Sequence, residues 1–411
     1  EIVQLDKKVL GNISFKTTMQ SDSIGGFVFT YNNSNANNFG LIKGDVRSNV
    51  SDFDILFDSS SFLLINNQYW EVDSSSIISL IDSGLRLKNF TIALDEQNLK
   101  INGLLSENSD IKFNFQNFEL SNFNPFISNQ NISLNGLLNG SIAYNPFSFP
   151  VLISDFQVDD FDLNNTLLGT FKLTNYSSLD YDSLYALGSI FNTNDELLSF
   201  SAKYPLNGSQ NIHADILFDN LPIRLLDPLI KPISQINGVC NGSLKIEGST
   251  SDYHINGLAI ANECSFNVPY LNTNYYNKAF NINFTQDSVI IDDILLIDSK
   301  HDTRANAKLY LQHTALSNMN YNIIIESDRL FLLNTDNNYN NDYYGRVFMD
   351  GNLSVRGDKS KTLLNINAVT QKGTELMFPL SKSREIGENQ FLTFKSQLKN
   401  NVSSNLNTNK N

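Results

Sequence analysis

The chain is poor in the residues on which metal and redox chemistry depends. It has two cysteines, Cys240 and Cys264, and four histidines, His213, His254, His301 and His313, in 411 residues. Two cysteines make no disulfide framework. Cys240 reads as a small buried apolar residue, with a single disulfide in an oxidising compartment as the alternative. The histidines form no H-x-H or H-E-x-x-H pattern, so those zinc signatures are excluded and no metal is expected. No G-x-S-x-G, P-loop or G-x-G-x-x-G occurs either. The acidic pairs Asp159-Asp160 and Asp292-Asp293 are adjacent in sequence, and adjacent strand residues point to opposite faces, so neither pair is expected to converge on a substrate. Basic residues are also short, 29 Lys and Arg against 43 Asp and Glu, for a net charge of −14. With no basic cluster, nucleic acid is not expected as a partner, nor is electrostatic docking on anionic lipid. No segment approaches the ~20 apolar residues of a membrane-crossing helix. These absences point away from an enzyme and from any cofactor. The chain starts at Glu1 without a signal-peptide pattern and reads as an excised piece of a longer protein.

What is present is strand pattern. Hydrophobic residues make up 41%, with 29 Phe and 16 Tyr, types that favour strands. Asn is about one residue in seven, which suits turns and left-handed backbone. Apolar residues alternate with polar ones over five to eight positions, the pattern of a strand with one buried face. Thus "DIKFNF" sets Ile111, Phe113 and Phe115 against Lys112 and Asn114. "FNINF" aligns Ile282 and Phe284, and "NYNIIIE" and "LLNINA" place Ile323 with Ile325 and Leu364 with Ile366. Around "GSLKIEG", Leu244 and Ile246 flank Lys245. These eleven residues, Ile111 to Ile366, are expected to share one apolar surface, with Lys112, Asn114, Lys245 and Asn365 on the other side.

One phrase is written twice, "NGLLNGSIAY" at 135–144 and "NGVCNGSLKI" at 237–246, with fainter echoes at 11–16 and 351–357. Each full copy follows a proline-bearing apolar cluster, which predicts short helices near 122–129 and 222–231. The expected unit is a strand, a short helix, an Asn-Gly turn and a new strand. Restarts fall near 11, 135, 237 and 346 at unequal spacing, so residues 1–395 read as one continuous repetitive β segment rather than a solenoid of rigid rungs. Residues 396–411 are polar and read as a disordered tail or linker.

Three stretches carry a family likeness: "NGLAIANECSFNVPYLNTNYYN" (256–277), "NDYYGRVFMDGNLSVRG" (341–357) and "TQKGTELMFPLSKSREIGENQFLTF" (370–394). They resemble the TamB family of the AsmA-like group in its Bacteroidota form. The resemblance implies an all-β, elongated and twisted half-open groove, a β-taco, with an apolar inner face and a few short helices. It implies a periplasmic location with anchorage in the inner membrane, phospholipid transport towards the outer membrane, support of outer-membrane protein assembly, and an outer-membrane barrel partner of the TamA kind. The anchor helix of the family has no counterpart in these residues.

A curved sheet with one apolar face and no second layer stays wet unless something fills it, and acyl chains suit the purpose at about 0.8 kcal/mol per CH₂ removed from water. At roughly 12 residues per strand and turn, some 30 strands spaced about 4.8 Å apart give a groove on the order of 150 Å. The eleven residues above are the expected lining, with phospholipid as ligand. Two other readings belong to different classes: a non-conducting chaperone or scaffold receiving unfolded strands at its sheet edges, and an extracellular β-rich adhesin.

Overall fold

The computed structural model describes residues 2–379 except for 6–7, 33–38, 49–51, 66, 108, 128–130, 146, 148–150, 179–181, 207–210, 250–251, 299, 315–316 and 340–342. The tail at 396–411 therefore lies outside the described residues. The first strands are β1 (Ile2–Leu5), β2 (Lys8–Ser21), β3 (Ile24–Asn32), β4 (Phe39–Ser48), β5 (Phe53–Phe57), β6 (Phe62–Ile65), β7 (Gln68–Val72) and β8 (Ile77–Ile81). There follow β9 (Gly84–Leu94), β10 (Gln97–Ser106), β11 (Ser109–Glu119), β12 (Leu134–Asn145), β13 (Val151–Leu163), β14 (Thr166–Ser177), β15 (Ser183–Asn192), β16 (Asp195–Pro205) and β17 (Ile212–Pro222). The chain continues as β18 (Ser234–Gly248), β19 (Tyr253–Val268), β20 (Thr273–Thr285), β21 (Ser288–Asp298), β22 (Thr303–Thr314), β23 (Ser317–Thr335), β24 (Tyr344–Gly357), β25 (Thr362–Thr370) and β26 (Glu375–Met377). Two 3₁₀ helices, Leu120–Phe126 and Ile223–Leu229, overlap the expected 122–129 and 222–231; the first starts two residues earlier and ends at Phe126, and 128–129 lie outside the described residues.

All 26 strands form one sheet, and neighbours pair antiparallel in near-consecutive order. Near its start, β4 pairs with both β5 and β6, and β9 with both β7 and β8. At its end, β24 carries both β25 and β26. With each such pair counted once, about 23 rungs remain, which at ~4.8 Å per rung is roughly 100 Å. The expected 30 strands and 150 Å are thus too many and too long. Strands as long as β18, β19 and β23 (15, 16 and 19 residues) use more chain per rung.

A line of β-bulges crosses the sheet. Strand interiors hold non-glycine residues at positive φ: Asn89 (51°), Asn117 (47°), Asp160 (50°), Asn220 (52°), Gln235 (54°) and Glu263 (51°). Pairing registers shift at the same height, between Phe115 and Phe118, Val158 and Phe161, Phe218 and Leu221, Ile291 and Ile294, and Ser327 and Leu330. A bulge bends its strand and sharpens its twist, so an aligned series makes a crease along the sheet.

The repeated phrase builds that crease. Asn139 Oδ1 accepts the backbone N–H of the bulge residue Asn117 at 2.9 Å, and Asn241 Oδ1 that of Asn220 at 2.6 Å. A third Asn-Gly, at 102–103, does the same for Asn89 at 2.7 Å. The turn expected of these Asn-Gly pairs is not there. Both copies lie inside strands, β12 and β18, and the asparagine side chain satisfies the amide that the neighbouring bulge takes out of the ladder. The short helix then returns the chain to the next strand: Asn124 brackets the N–H and C=O of Leu134 (2.9 and 3.0 Å), and Asp227 accepts the N–H of Ile236 (3.0 Å). Asp292-Asp293 departs from the opposite-face expectation for a related reason. The bulge between Ile291 and Ile294 adds a residue, and both aspartates are exposed.

The cores follow the crease. Phe118, Leu138, Val158, Phe161, Ile190 and Leu197 join Trp70 in one buried cluster, Cys240, Ala259, Ala261 and Cys264 form a second, and Ala305, Ala307, Leu330 and Met349 belong to a third.

Candidate functional site

Residues directly opposite in an antiparallel ladder share a face. From Phe115 the register runs through Gly140, Phe156, Leu173, Gly188, Phe200 and Ile216 to Leu244, then through Gly257 to Phe284. From Phe284 it continues through Val289, Leu311 and Tyr321 to Gly357. Phe113 leads by the same steps through Ile142 and Ala214 to Ile246. Ile282 lies two residues from Phe284, and Ile323 and Ile325 lie two and four from Tyr321. These isoleucines pair with Val355 and Leu353, which pair in turn with Leu364 and Ile366. The register therefore brings Ile111, Phe113, Phe115, Leu244, Ile246, Ile282, Phe284, Ile323, Ile325, Leu364 and Ile366 onto one face. Alternation leaves Lys112, Asn114, Lys245 and Asn365 on the other, and all four are exposed.

The face extends further than those eleven residues. Towards the start it includes Leu99, Ile101, Ile92, Ile78, Ile55, Val46, Phe29 and Phe15. From Ile13 to Ala368 none of its register-paired residues on this side of the crease is Asp, Glu, Lys or Arg. Its buried polar pair mid-sheet is internally satisfied: Ser154 bonds Asn175, whose amide donates to the Leu152 carbonyl at 2.6 Å. Glycines at Gly44 and Gly188 leave room for rings from neighbouring strands. A Cβ on Gly188 would stand 2.2 Å from the Phe200 ring.

Exposure changes along the face. Ile111 is buried, and Phe113, Phe115, Leu244, Ile246, Ile282, Phe284, Ile323 and Ile325 are half-buried. At the two ends the same face lies open, with Phe15 62% exposed and Ile366 55%. The opposite face carries charge, as in the exposed cluster where His213 meets Asp215 (2.9 Å) and Glu247 (3.2 Å) and Lys245 also meets Glu247 (3.2 Å).

Ionisation in the crease is suppressed. Burial pushes the Cys264 thiol up to about 11, helped by Cys240 and Glu263, and also raises Cys240. Both thiols are free and buried. Burial pushes the Tyr275 phenol up to about 12, and its hydroxyl donates to the Phe331 carbonyl at 2.8 Å.

The alternation in the sequence points to the long wall but not to the crease residues Phe118, Leu138, Val158 and Phe161. Their signal is a step of three between apolar residues within a strand, as in Phe115 to Phe118, Val158 to Phe161 and Phe218 to Leu221. Each step spans a bulge. Among the described residues no three His, Cys, Asp or Glu side chains converge as metal ligands, and no helix is long and apolar enough to cross a membrane. The chain matches no known protein-family profile, no curated protein and no solved structure.

Proposed function

We propose that this chain is a lipid-carrying groove segment of a TamB-like protein, its inner face conducting phospholipid acyl chains across the periplasm between inner and outer membrane. The observation that carries the reading is the uncharged apolar wall, continuous in register from Ile13 to Ala368. An acyl chain leaving a bilayer for such a wall exchanges one apolar setting for another, so its tails need not cross water. A length of roughly 100 Å suits a path better than a pocket, since a bilayer's hydrocarbon core is only ~30 Å thick. Support of outer-membrane protein assembly, a TamA-like barrel partner and inner-membrane anchorage belong to the same proposal, and no residue here is assigned to them.

The test exploits adjacent residues of opposite parity. A photo-crosslinker at Ile246 is expected to capture phospholipid, and one at Lys245, half-exposed on the other face, is not. Ile246→Asp is expected to lower co-purifying lipid, because an unpaired carboxylate is costly in an apolar setting. Lys245→Asp is expected to leave it unchanged. Equal capture at the two positions, or capture only at Lys245, would sink the proposal.

One observation favours a second reading, the strand-receiving scaffold. β25 is exposed along its whole length, and among the described residues its register pairing is with β24 alone. Crosslinks from Leu363 to nascent barrel strands, with no lipid at Ile246, would favour that reading.

A further inference from the structure

Three segments far apart in sequence meet at one rim of the sheet. They are the residues after the second 3₁₀ helix, the β19–β20 turn, and residues 336–339 with Tyr343 from between β23 and β24. The Asn334 N–H donates to the Leu271 carbonyl at 2.9 Å, the Asn272 side-chain amide donates to the Asn334 carbonyl at 2.7 Å, and the hydroxyls of Tyr270 and Tyr343 bond each other. Between the segments lies a recess of about 420 Å³ lined by Lys231, Pro232, Pro269, Tyr270 and Tyr339. The elements that carry these segments pack on the crease clusters: Ile223, at the start of the second 3₁₀ helix, on the one around Cys240, which also holds the wall residues Ile282 and Phe284, and Val268, at the end of β19, on the one around Tyr275, which also holds the wall residue Ile325.

The lining is specific in chemistry. Lys231 is exposed, and among the described residues no carboxylate lies within ion-pair distance of it. Tyr270 and Tyr339 are 67% and 51% exposed. Tyrosine rings beside an apolar surface are the usual composition where a lipid changes from tail to headgroup, and an ammonium with a phenol donor suits a phosphate oxygen. The wall below offers no such donor pair along its register rows.

We infer that this rim recess holds the phosphate of a lipid whose acyl chains lie on the inner wall, so that Lys231 and Tyr339 form a headgroup station beside the groove. The inference rests on the groove reading and adds to it a fixed polar contact. The expected selectivity is for a lipid phosphate over an uncharged diacyl lipid, at a strength set by one exposed cation and one hydroxyl.

The experiment compares two lipids on the intact chain. Native mass spectrometry measures binding of dioleoyl phosphatidylglycerol and of dioleoylglycerol, which has the same tails and no phosphate. Wild type is expected to bind both and to favour the phospholipid. Lys231→Gln with Tyr339→Phe is expected to lower phospholipid binding about threefold, the size of an exposed charge pair, and to leave dioleoylglycerol unchanged. Inorganic phosphate up to millimolar is not expected to compete, because it lacks the tails; full competition would mark a free-anion site and overturn the lipid assignment. If wild type binds both lipids and the double variant matches it, the recess inference falls while the groove stands. If wild type binds neither lipid, both fall.

Discussion

Asn139→Ala tests what the repeated phrase does. Asn139 Oδ1 holds the N–H of Asn117, a residue at φ 47° whose amide is withdrawn from the strand ladder. Removing the acceptor leaves a partly buried donor without a partner, which costs about 1–2 kcal/mol. Phe118, next in the chain and 6% exposed, is anchored by the same bulge and packs against Trp70 with ring centroids 5.2 Å apart. The loss should therefore spread into the first cluster. Hydrogen exchange resolved at the Asn117 amide is the assay, since it reports local opening directly, and 1.4 kcal/mol corresponds to about a tenfold faster exchange. Asn139→Asp keeps an acceptor and is expected to stay near wild type. Asn135→Ala, from the same phrase, removes only a side-chain bond to Asp162 (3.2 Å) and should cost below about 0.5 kcal/mol. If Asn117 exchanges at the wild-type rate in Asn139→Ala, or opens equally in Asn135→Ala, the bulge-clamp reasoning is wrong.

Other expectations follow from the crease. Trp70 is fully buried, so Trp70→Ala should cost about 3–5 kcal/mol in denaturant unfolding. Trp70→Phe should cost much less, because the indole N–H has no partner among the described residues. Tyr275 ionises at about 12 in the fold against 10.0 ordinarily. Its contribution to stability is complete below pH 10 and is lost as the pH rises from 10 towards 12. Tyr275→Phe should flatten that alkaline limb in pH-dependent unfolding. Cys240 and Cys264, buried and with raised thiol pKa values, should resist alkylation in the native protein and react once it is unfolded.

The parity of individual strands is legible in the sequence. Ile111, Phe113 and Phe115 alternate with Lys112 and Asn114, and a face defined within one strand is passed to the next by antiparallel register. The proline clusters were readable too, because Pro125 and Pro228 interrupt the alternation just before it restarts. The crease is hidden in the alternation, although its trace is present. Steps of three such as Phe115 to Phe118 look like noise in an alternating pattern, and a one-residue bulge leaves the strand's composition unchanged. The Asn-Gly pairs point to a hairpin turn because, in isolation, the dipeptide is a turn signal. Only the pairing of Asn139 with Asn117, 22 residues earlier, gives it another role. The rim recess had no local signal, since Lys231, Pro269 and Tyr339 meet only through tertiary contacts.

A single-layer sheet has to reconcile stability with an open face, and the crease separates the two demands. Fully burying a large apolar side chain is worth about 1.5–3 kcal/mol, and the crease collects many such chains, among them Trp70, Leu168, Val158 and Leu330, each at most 1% exposed. The wall residues Phe113, Leu244, Ile246 and Ile323 are only half-buried, so part of their apolar surface is still available to an occupant. Under the proposed function, such an occupant would have to be uncharged where it touches the wall, because the wall offers no ion to pair with. The two regions should therefore respond differently to substitution. A large-to-small change in the crease should lower stability with or without lipid, whereas, on the proposed lipid-carrying reading, a carboxylate at Ile246 should reach water, leave the sheet folded and reduce lipid binding. If Ile246→Asp instead unfolds the chain as severely as Trp70→Ala, the wall is part of a closed core and not a path.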